Sequence, residues 1–470
     1  MTQLVWFRND LRTADNPALT AACGQDEAVR GLFMVTPEQW RQHDWSPARV
    51  QLMLGHLNDL GRQLADLGIA LDIVECDDFA AGIKALENLC HQHEVRQLHF
   101  NEEYGINERR RDRQVRDRLA DSDIQVSKYR DQTVAPVGSI RTGKDEPYSV
   151  FTPFSRRWRQ WVEETSPNVL PVPVAVDDKI SWQPYGVRAT DLGFGTPPPA
   201  LVNPDEDSAH SQLEQFLTGR CVDYKAQRDF PAVDGTSQIS PYLAIGALSG
   251  RQCLLAAREA QGEGGNQEGY ATWVNEIAWR DFYIHILYHY PRVSMHKAFK
   301  PETEALRWNS AGKHFEAWKQ GRTGIPIVDA AMRQLRETGW MHNRLRMVTA
   351  MFLTKNLFID WRQGEAWFMQ NLVDGFLPSN NGGWQWSAST GTDAAPYFRV
   401  FNPATQSERF DPKGEFIRRW VPELADLDSK RIHNPGVGGV IPNGYPRPIV
   451  DLKESRKEAI ARFQALKKSE

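Results

Sequence analysis

The sequence predicts two domains of different class. Residues 1–129 read as an α/β domain on a parallel five-stranded sheet, Rossmann-like but without the glycine fingerprint. Residues 206–470 read as an all-α domain, and 130–205 connect the two. Three observations carry this. The chain, at 470 residues, exceeds what one ordinary core accommodates. Up to residue 129, short apolar runs alternate with helical patterns, the order that builds a parallel sheet. Beyond 206, helical periodicity dominates.

The strand candidates are "LVWFR", "GLFMVT", "ALDIVE", "QLHFN" and "QVSKY". Between the second and third, "SPARVQLMLGHLNDLGRQLADLG" opens a helix with Ser46 as N-cap and Pro47 in the first turn. The first strand runs into "NDLRTADNP", which has no glycine, and no P-loop occurs anywhere. A cofactor bound here would not rest on a glycine phosphate cradle. Residues 130–205 are proline-rich with little periodicity, apart from one helix near 152–165. In the C-terminal part, "YATWVNEIAWRDFYIHILYHY" and "GWMHNRLRMVTAMFLTKNLFIDW" are the clearest helices.

Composition narrows the classes. No apolar run of about 18 residues is present, so no membrane-spanning helix is expected. Five scattered cysteines without a C-x-x-C fit a reducing, cytoplasmic setting and give no zinc or iron–sulfur spacing. His91 and His93 in "CHQHE" point apart on a helix and read as a solvated helix end. Sixteen tryptophans are present, ten of them from Trp273 onward. The N-terminal region carries an excess of acidic residues and the C-terminal region a small excess of basic ones, so a polyanion partner would sit on the latter.

Several constellations stand out. Glu276, Trp279 and Arg280 share a helix face, although a surface ion pair satisfies the same spacing. Asn343, Arg346 and Met347 share another, on a helix whose "MVTAMFL" must be buried. A buried arginine needs a carboxylate, and Asp374 is a candidate. Thr236, Ser237 and Ser240 form a hydroxyl series able to hold phosphate or simply to cap a helix. "GRTGIPIVDAAMRQL" reads as a rigid turn before a helix. In "NNGGWQWSASTGTD", Trp384 and Trp386 lie in polar, glycine-rich backbone that reads as a pocket wall. In extended chain they would share a side, so a turn at Gly382–Gly383 is expected to separate them. No triad, paired-carboxylate or metal cluster emerges. Indoles, hydroxyls and a basic rim suit a flat charged cofactor together with nucleic acid.

The segments "LVWFRNDLRTADNPAL", "RDFPAVDGTS", "WVNEIAWRDFY", "GRTGIPIVDAAMRQL", "GWMHNRLRM" and "DGFLPSNNGGWQWSASTGTDAAPYFRVFNP" resemble, in order and over nearly the whole chain, those of the photolyase/cryptochrome family. The resemblance is strongest to bacterial class I cyclobutane pyrimidine dimer photolyases with a folate antenna. It implies an antenna domain at 1–129, a linker at 130–205 and a helical FAD domain at 206–470. It implies light-driven dimer repair, by electron transfer from excited reduced FAD to a dimer flipped out of UV-damaged DNA, and a monomeric bacterial enzyme that associates with the nucleoid at damage.

Carried over by motif, Tyr224, Thr236, Ser237, Ser240, Trp273, Asn343, Arg346, Asp374 and Asn380 would surround FAD. Glu276, Trp279, Asn343, Met347 and Trp386 would form the lesion pocket. Trp384, Trp361 and Trp308 would relay electrons from the surface to the flavin. Arg228, Arg280, Arg344 and Arg399 would meet DNA phosphates. His43, Asn107 and Glu108 would hold 5,10-methenyltetrahydrofolate. Two positions depart from the family pattern. Phe376 stands where a second acidic residue is usual. Met295 stands where folate-binding members carry a lysine, so weak folate retention is expected. A cryptochrome-type blue-light photoreceptor is the alternative reading. Asn380 and the short stretch after "RVFNP" favour repair, and "MHNRLRM" lacks the histidine pair expected of a six-four photolyase.

Overall fold

The computed structural model describes residues 2–262, 267–436 and 440–467. They group into two compact units that do not follow chain order. The first comprises Met1–Val222, Ser237–Pro291 and Val373–Gly375; the second comprises Asp223–Thr236, Arg292–Leu372 and Phe376–Glu470.

The first unit contains the expected sheet. Strands β1 (Thr2–Phe7), β2 (Ala28–Val35), β3 (Ala70–Glu75), β4 (Val95–Asn101) and β5 (Gln125–Tyr129) pair in parallel in the order β3-β2-β1-β4-β5. The register sets Thr2 opposite Ala28 and Arg30 opposite Ala70. β1 is apolar from Leu4 to Phe7 because helices cover both faces of such a sheet. Its core includes Leu4, Trp6, Leu32, Leu98 and Phe100. Strand order reverses beside β1, and in open α/β sheets ligands collect outside the carboxyl ends at such a point.

The segment after β1 is fixed by side chains in place of glycines. Asp10 accepts from Arg8 N at 2.6 Å and from Asn101 Nδ2 at 2.7 Å, and Asn16 caps the helix Pro17–Cys23. Ser46 caps the helix Pro47–Asp66 through Arg49 N at 3.0 Å.

The connecting segment has the expected helix, at Phe151–Thr165. Its later part is pinned along Pro47–Asp66: Tyr185 N donates to Asn58 Oδ1 at 2.6 Å, and the Trp182 ring lies on Gly61 where any Cβ would collide. Helix Gln267–His289 is tied to the same segment by Asp281, which accepts from Val134 N, Ala135 N and Trp158 Nε1 at 2.8–3.2 Å.

The second unit is helical. Its core gathers Trp318, Val328, Leu335, Leu345, Trp361, Phe368 and Trp384. "GRTGIP" forms the expected turn before the helix Pro326–Thr338. Asp329 closes that turn by accepting from Thr323 N, Thr323 Oγ1, Gly324 N and Tyr445 Oη at 2.6–3.0 Å. Among the described residues no helix is long and apolar enough to cross a membrane.

Candidate functional site

In the first unit a cavity opens at the carboxyl ends of β1 and β2. Trp6, Phe33, Trp40, Trp45 and Phe79 give it aromatic walls, and Arg8, Arg111, Glu103, Glu108 and His43 give it charge. The three residues expected to hold an antenna lie together here. Asn107 Nδ2 is 3.1 Å from His43 Nε2, and His43 Nδ1 is 3.5 Å from Glu108 Oε1. The two carboxylates differ. Burial pushes the Glu103 carboxyl up, but Arg111 and Arg8 outweigh it and bring it down to about 2. Burial pushes Glu108 up, and His43 opposes this only in part. A half-buried, reluctant carboxylate beside a histidine can accept from a donor edge of a planar ligand. Met295 belongs to the second unit and is 46% exposed.

The same unit holds part of the expected flavin set. Ser240 Oγ donates to Asp374 Oδ2 at 2.6 Å, and Trp273 Nε1 donates to Ser237 Oγ at 3.3 Å. The hydroxyls are half-buried, and Trp273 and Asp374 are buried. Arg49, which the sequence did not flag, is 4% exposed in this region. Its guanidinium donates to the Gly375 carbonyl, to Asn9 Oδ1 at 2.9 Å and to the Ala244 carbonyl at 3.3 Å.

On helix Gln267–His289, Glu276 and Trp279 are half-buried one turn apart, and Trp279 stacks on Phe151 with centroids 3.5 Å apart. Arg280 is turned onto the Gln132 and Leu243 carbonyls. A phosphate would have to compete with those contacts.

In the second unit, the segment expected to be a glycine turn is a helix, Leu377–Ala388. Trp384 and Trp386 point apart because a helix advances about 100° per residue, not because Gly382–Gly383 breaks the chain. Trp384 is 2% exposed and meets Phe368 and Trp318 edge-on at 4.9 and 6.0 Å. Trp386 is half-buried and lies 6.5 Å from Phe401.

Helix Trp361–Met369 carries the second relay candidate, fully buried, with the Arg362 guanidinium 4.7 Å over its ring. Gly364, one turn along, receives the Trp384 ring edge where a Cβ would collide. Trp308 is half-buried, 4.8 Å from Phe358. Trp361 and Trp384 are thus enclosed, and Trp308 is partly open. Nε1 of Trp361 and of Trp384 has no hydrogen-bond partner among the described residues.

Helix Asn343–Met351 starts at His342, whose Nδ1 accepts from Arg344 N at 3.2 Å. Burial pushes His342 down to about 4, so it is a neutral cap at neutral pH. Asn343 is exposed and Met347 half-buried. Arg346 Nε donates to the Met341 carbonyl at 2.8 Å. Arg344 pairs with Asp229 at 2.8 Å and lies 4.4 Å over Phe410. Arg228 lies 5.2 Å over Tyr224, which is buried; Thr236 is half-buried and Arg399 exposed.

The residues present fit a flavin dinucleotide. Gly383 sits inside a helix, where glycine costs about 1 kcal/mol against alanine, yet a Cβ there would meet nothing within 4 Å. Bare backbone facing open space suits close approach by a flat ring. Asn380, one turn earlier, donates to the Glu365 carbonyl at 3.0 Å. No group of residues able to hold a metal is found among the described residues.

A Rossmann-like sheet with a charged cavity and a helical unit rich in enclosed indoles define a protein of mixed α/β and all-α build, with a hydroxyl–carboxylate set that suits a flavin. Two family models match the chain: "DNA photolyase" over residues 3–173 and "FAD binding domain of DNA photolyase" over residues 273–465. Similar curated proteins include the deoxyribodipyrimidine photo-lyases of Escherichia coli, 45% identical, and of Salmonella typhimurium, 46% identical, with 99% of each chain covered in both cases. Among solved structures, a bacterial class III photolyase from Agrobacterium tumefaciens superposes with a TM-score of 0.89 at 33% identity, covering 99% of this chain and 98% of that one. A Synechocystis cryptochrome gives 0.87 at 27% identity, covering 98% of both. The chain belongs to the photolyase/cryptochrome family.

Proposed function

We propose that this protein repairs cyclobutane pyrimidine dimers in DNA under light. The observation that carries the reading is identity of 45–46% over 99% of the chain with two enzymes named deoxyribodipyrimidine photo-lyase. Bound FAD would supply a light-excited electron donor whose electron returns after the ring opens, leaving no net redox change. Tyr224, Thr236, Ser237, Ser240, Trp273, Asn343, Arg346, Asp374 and Asn380 hold it. Arg346 places a cation that favours the anionic reduced ring. Trp386 and Trp279 offer ring faces to the flipped lesion, while Glu276 and Asn343 address its polar edges and Met347 fills apolar space beside it. Flipping costs roughly a few kcal/mol, less at a poorly paired dimer. Stacking returns about 1–3 kcal/mol per base. Arg228, Arg344 and Arg399 meet backbone phosphates, Arg344 in exchange for its pairing with Asp229; Arg280 would join them only by releasing its carbonyl partners. Trp308, Trp361 and Trp384 pass electrons inward when the flavin is oxidised.

His43, Asn107 and Glu108 would hold 5,10-methenyltetrahydrofolate as an antenna. The close contacts among the three support this. The enzyme works as a cytoplasmic monomer that joins the nucleoid at damage, with the antenna, linker and catalytic regions dividing near 129 and 206.

The test is substrate choice. Reduced protein under blue or near-ultraviolet light should clear cyclobutane dimers from irradiated DNA and leave six-four products. Clearance of six-four products in their place would contradict the assignment. A photoreceptor role is the second reading, supported by the similarity to the Synechocystis cryptochrome; dimers persisting under light with fully reduced flavin would favour it.

A further inference from the structure

Arg49 contacts two chain segments that the proposed function uses, and its other face lies against the sheet cavity. The guanidinium donates to the Ala244 carbonyl, in the helix Ser240–Ile245, and to the Gly375 carbonyl beside Asp374. These are the two segments joined by the Ser240–Asp374 hydrogen bond. The flat face of the same guanidinium lies 3.9 Å over Trp45, which stacks on Trp40 at 5.3 Å. Both indoles line the cavity that holds His43 and Glu108. Asn9 completes the connection. It accepts from Arg49 Nη2 at 2.9 Å and donates to Glu103 Oε1 at 2.5 Å, and Glu103 is also a cavity wall.

We infer that Arg49 is a positioning residue that holds the Ser240 and Asp374 segments in their FAD-binding arrangement and couples them to occupancy of the sheet cavity through Trp45. This rests on the flavin and antenna readings above. A buried guanidinium with planar donors in a fixed fork holds two carbonyls at defined positions only while its own plane is fixed. That plane is held by its hydrogen-bond acceptors and, on one face, by the Trp45 ring. A flat ligand seated against Trp40 and Trp45 restricts the rings, and the restriction is inherited by Arg49 and then by the two carbonyls. FAD binding then meets segments already ordered. Coupling of this kind is reciprocal, so FAD should tighten the cavity's ligand by the same factor.

The test is FAD affinity of the full-length apo-protein, titrated with and without 5,10-methenyltetrahydrofolate. Circular dichroism and thermal unfolding serve as fold controls. In the unaltered protein, folate should tighten FAD by at least about fivefold, the lower range of such couplings. Arg49→Gln should weaken FAD binding and abolish the folate effect, while Arg49→Lys, able to reach one carbonyl at a time, should recover part of the affinity. Trp45→Ala removes the ring but none of the guanidinium's hydrogen-bond acceptors; with folate binding followed separately by its absorbance, it should weaken FAD binding less than Arg49→Gln does, and FAD affinity should no longer respond to folate that is bound. Unaltered FAD affinity in a folded Arg49→Gln protein overturns the positioning role. Bound folate that leaves FAD affinity unchanged in the unaltered protein overturns the coupling. Failure of that protein to bind FAD at all would instead strike the flavin reading.

Discussion

The sheet cavity and the helix Leu377–Ala388 solve opposite problems. The cavity concentrates charge that is tolerated because it is paired: Arg8 and Arg111 reach Glu103 at 3.9 and 2.9 Å, and Glu108 lies 3.5 Å from His43. The helix carries no charged residue, and its functional candidates are indoles, amides and bare glycine backbone. A charged, hydrogen-bonding cavity recognises the polar edge of a ligand and fixes its orientation. An aromatic setting suits movement of an electron when the charges around it are already fixed in place, as Glu365 is by Asn381 Nδ2 at 2.7 Å and Lys355 by Ser389 at 2.8 Å. Recognition and electron passage therefore call for different residue chemistry, and the chain supplies them in separate places.

The strongest way to break this contrast is at the indoles. Trp384→Phe should abolish photoreduction of oxidised FAD, read as loss of the light-driven absorbance change, while dimer repair with chemically reduced flavin persists. Equal loss of both would show that Trp384 serves the binding site and not a relay.

A second expected effect concerns Asp329, whose carboxyl is raised to about 6 by burial against the lowering influence of its four donors. Asp329→Asn should destabilise the fold by about 1–3 kcal/mol, since an amide cannot accept at both positions. The sign of the pH effect also follows. Between about pH 4 and 6 the folded protein retains a proton that the unfolded chain has released. This group therefore makes stability fall as pH rises through that window, by at most about 1.4 kcal/mol per pH unit. The asparagine variant should lack that component in urea unfolding measured across the window; an unchanged slope would contradict the assignment.

Trp386→Ala should weaken binding of dimer-containing DNA by about 1–3 kcal/mol, roughly 5- to 150-fold, with photoreduction intact. Indistinguishable defects in the Trp384 and Trp386 variants would erase the division between the two faces of the helix. The smallest effect is expected at the rim. Arg399→Ala should reduce the slope of log affinity against log salt by about 0.9, and an unchanged slope removes it from the phosphate contacts.

The same contrast explains what was legible in the sequence. The sheet was readable because a parallel strand buried on both faces leaves an apolar run, as "LVWF" does in β1, and because Ser46–Pro47 is a helix start encoded locally. The helix Leu377–Ala388 reads in the sequence as a glycine turn. Two glycines and paired asparagines depress helix propensity, and burial here depends on what packs around the helix, so no apolar period marks it. Its local signals were Pro378 in the first turn and Ser389, left-handed at φ 65°, at the end. Arg49 carries no signal in the sequence for a related reason. A lone arginine on a helix reads as solvated, and only the folded contacts with Trp45, Asn9, Ala244 and Gly375 bury it. Lys355 is similar: it is fully buried in the short π-helix Phe352–Asn356 and donates to Ser389 at 2.8 Å, a placement no spacing rule reveals.

The central claim is tested most directly by counting cyclobutane dimers in ultraviolet-irradiated DNA after incubation with flavin-reduced protein, in darkness and under blue light. The account predicts dimer loss in the light alone, at the same rate for the Trp384→Phe variant as for the unaltered protein. Dimer loss in darkness, or none under light with the flavin reduced throughout, would contradict it.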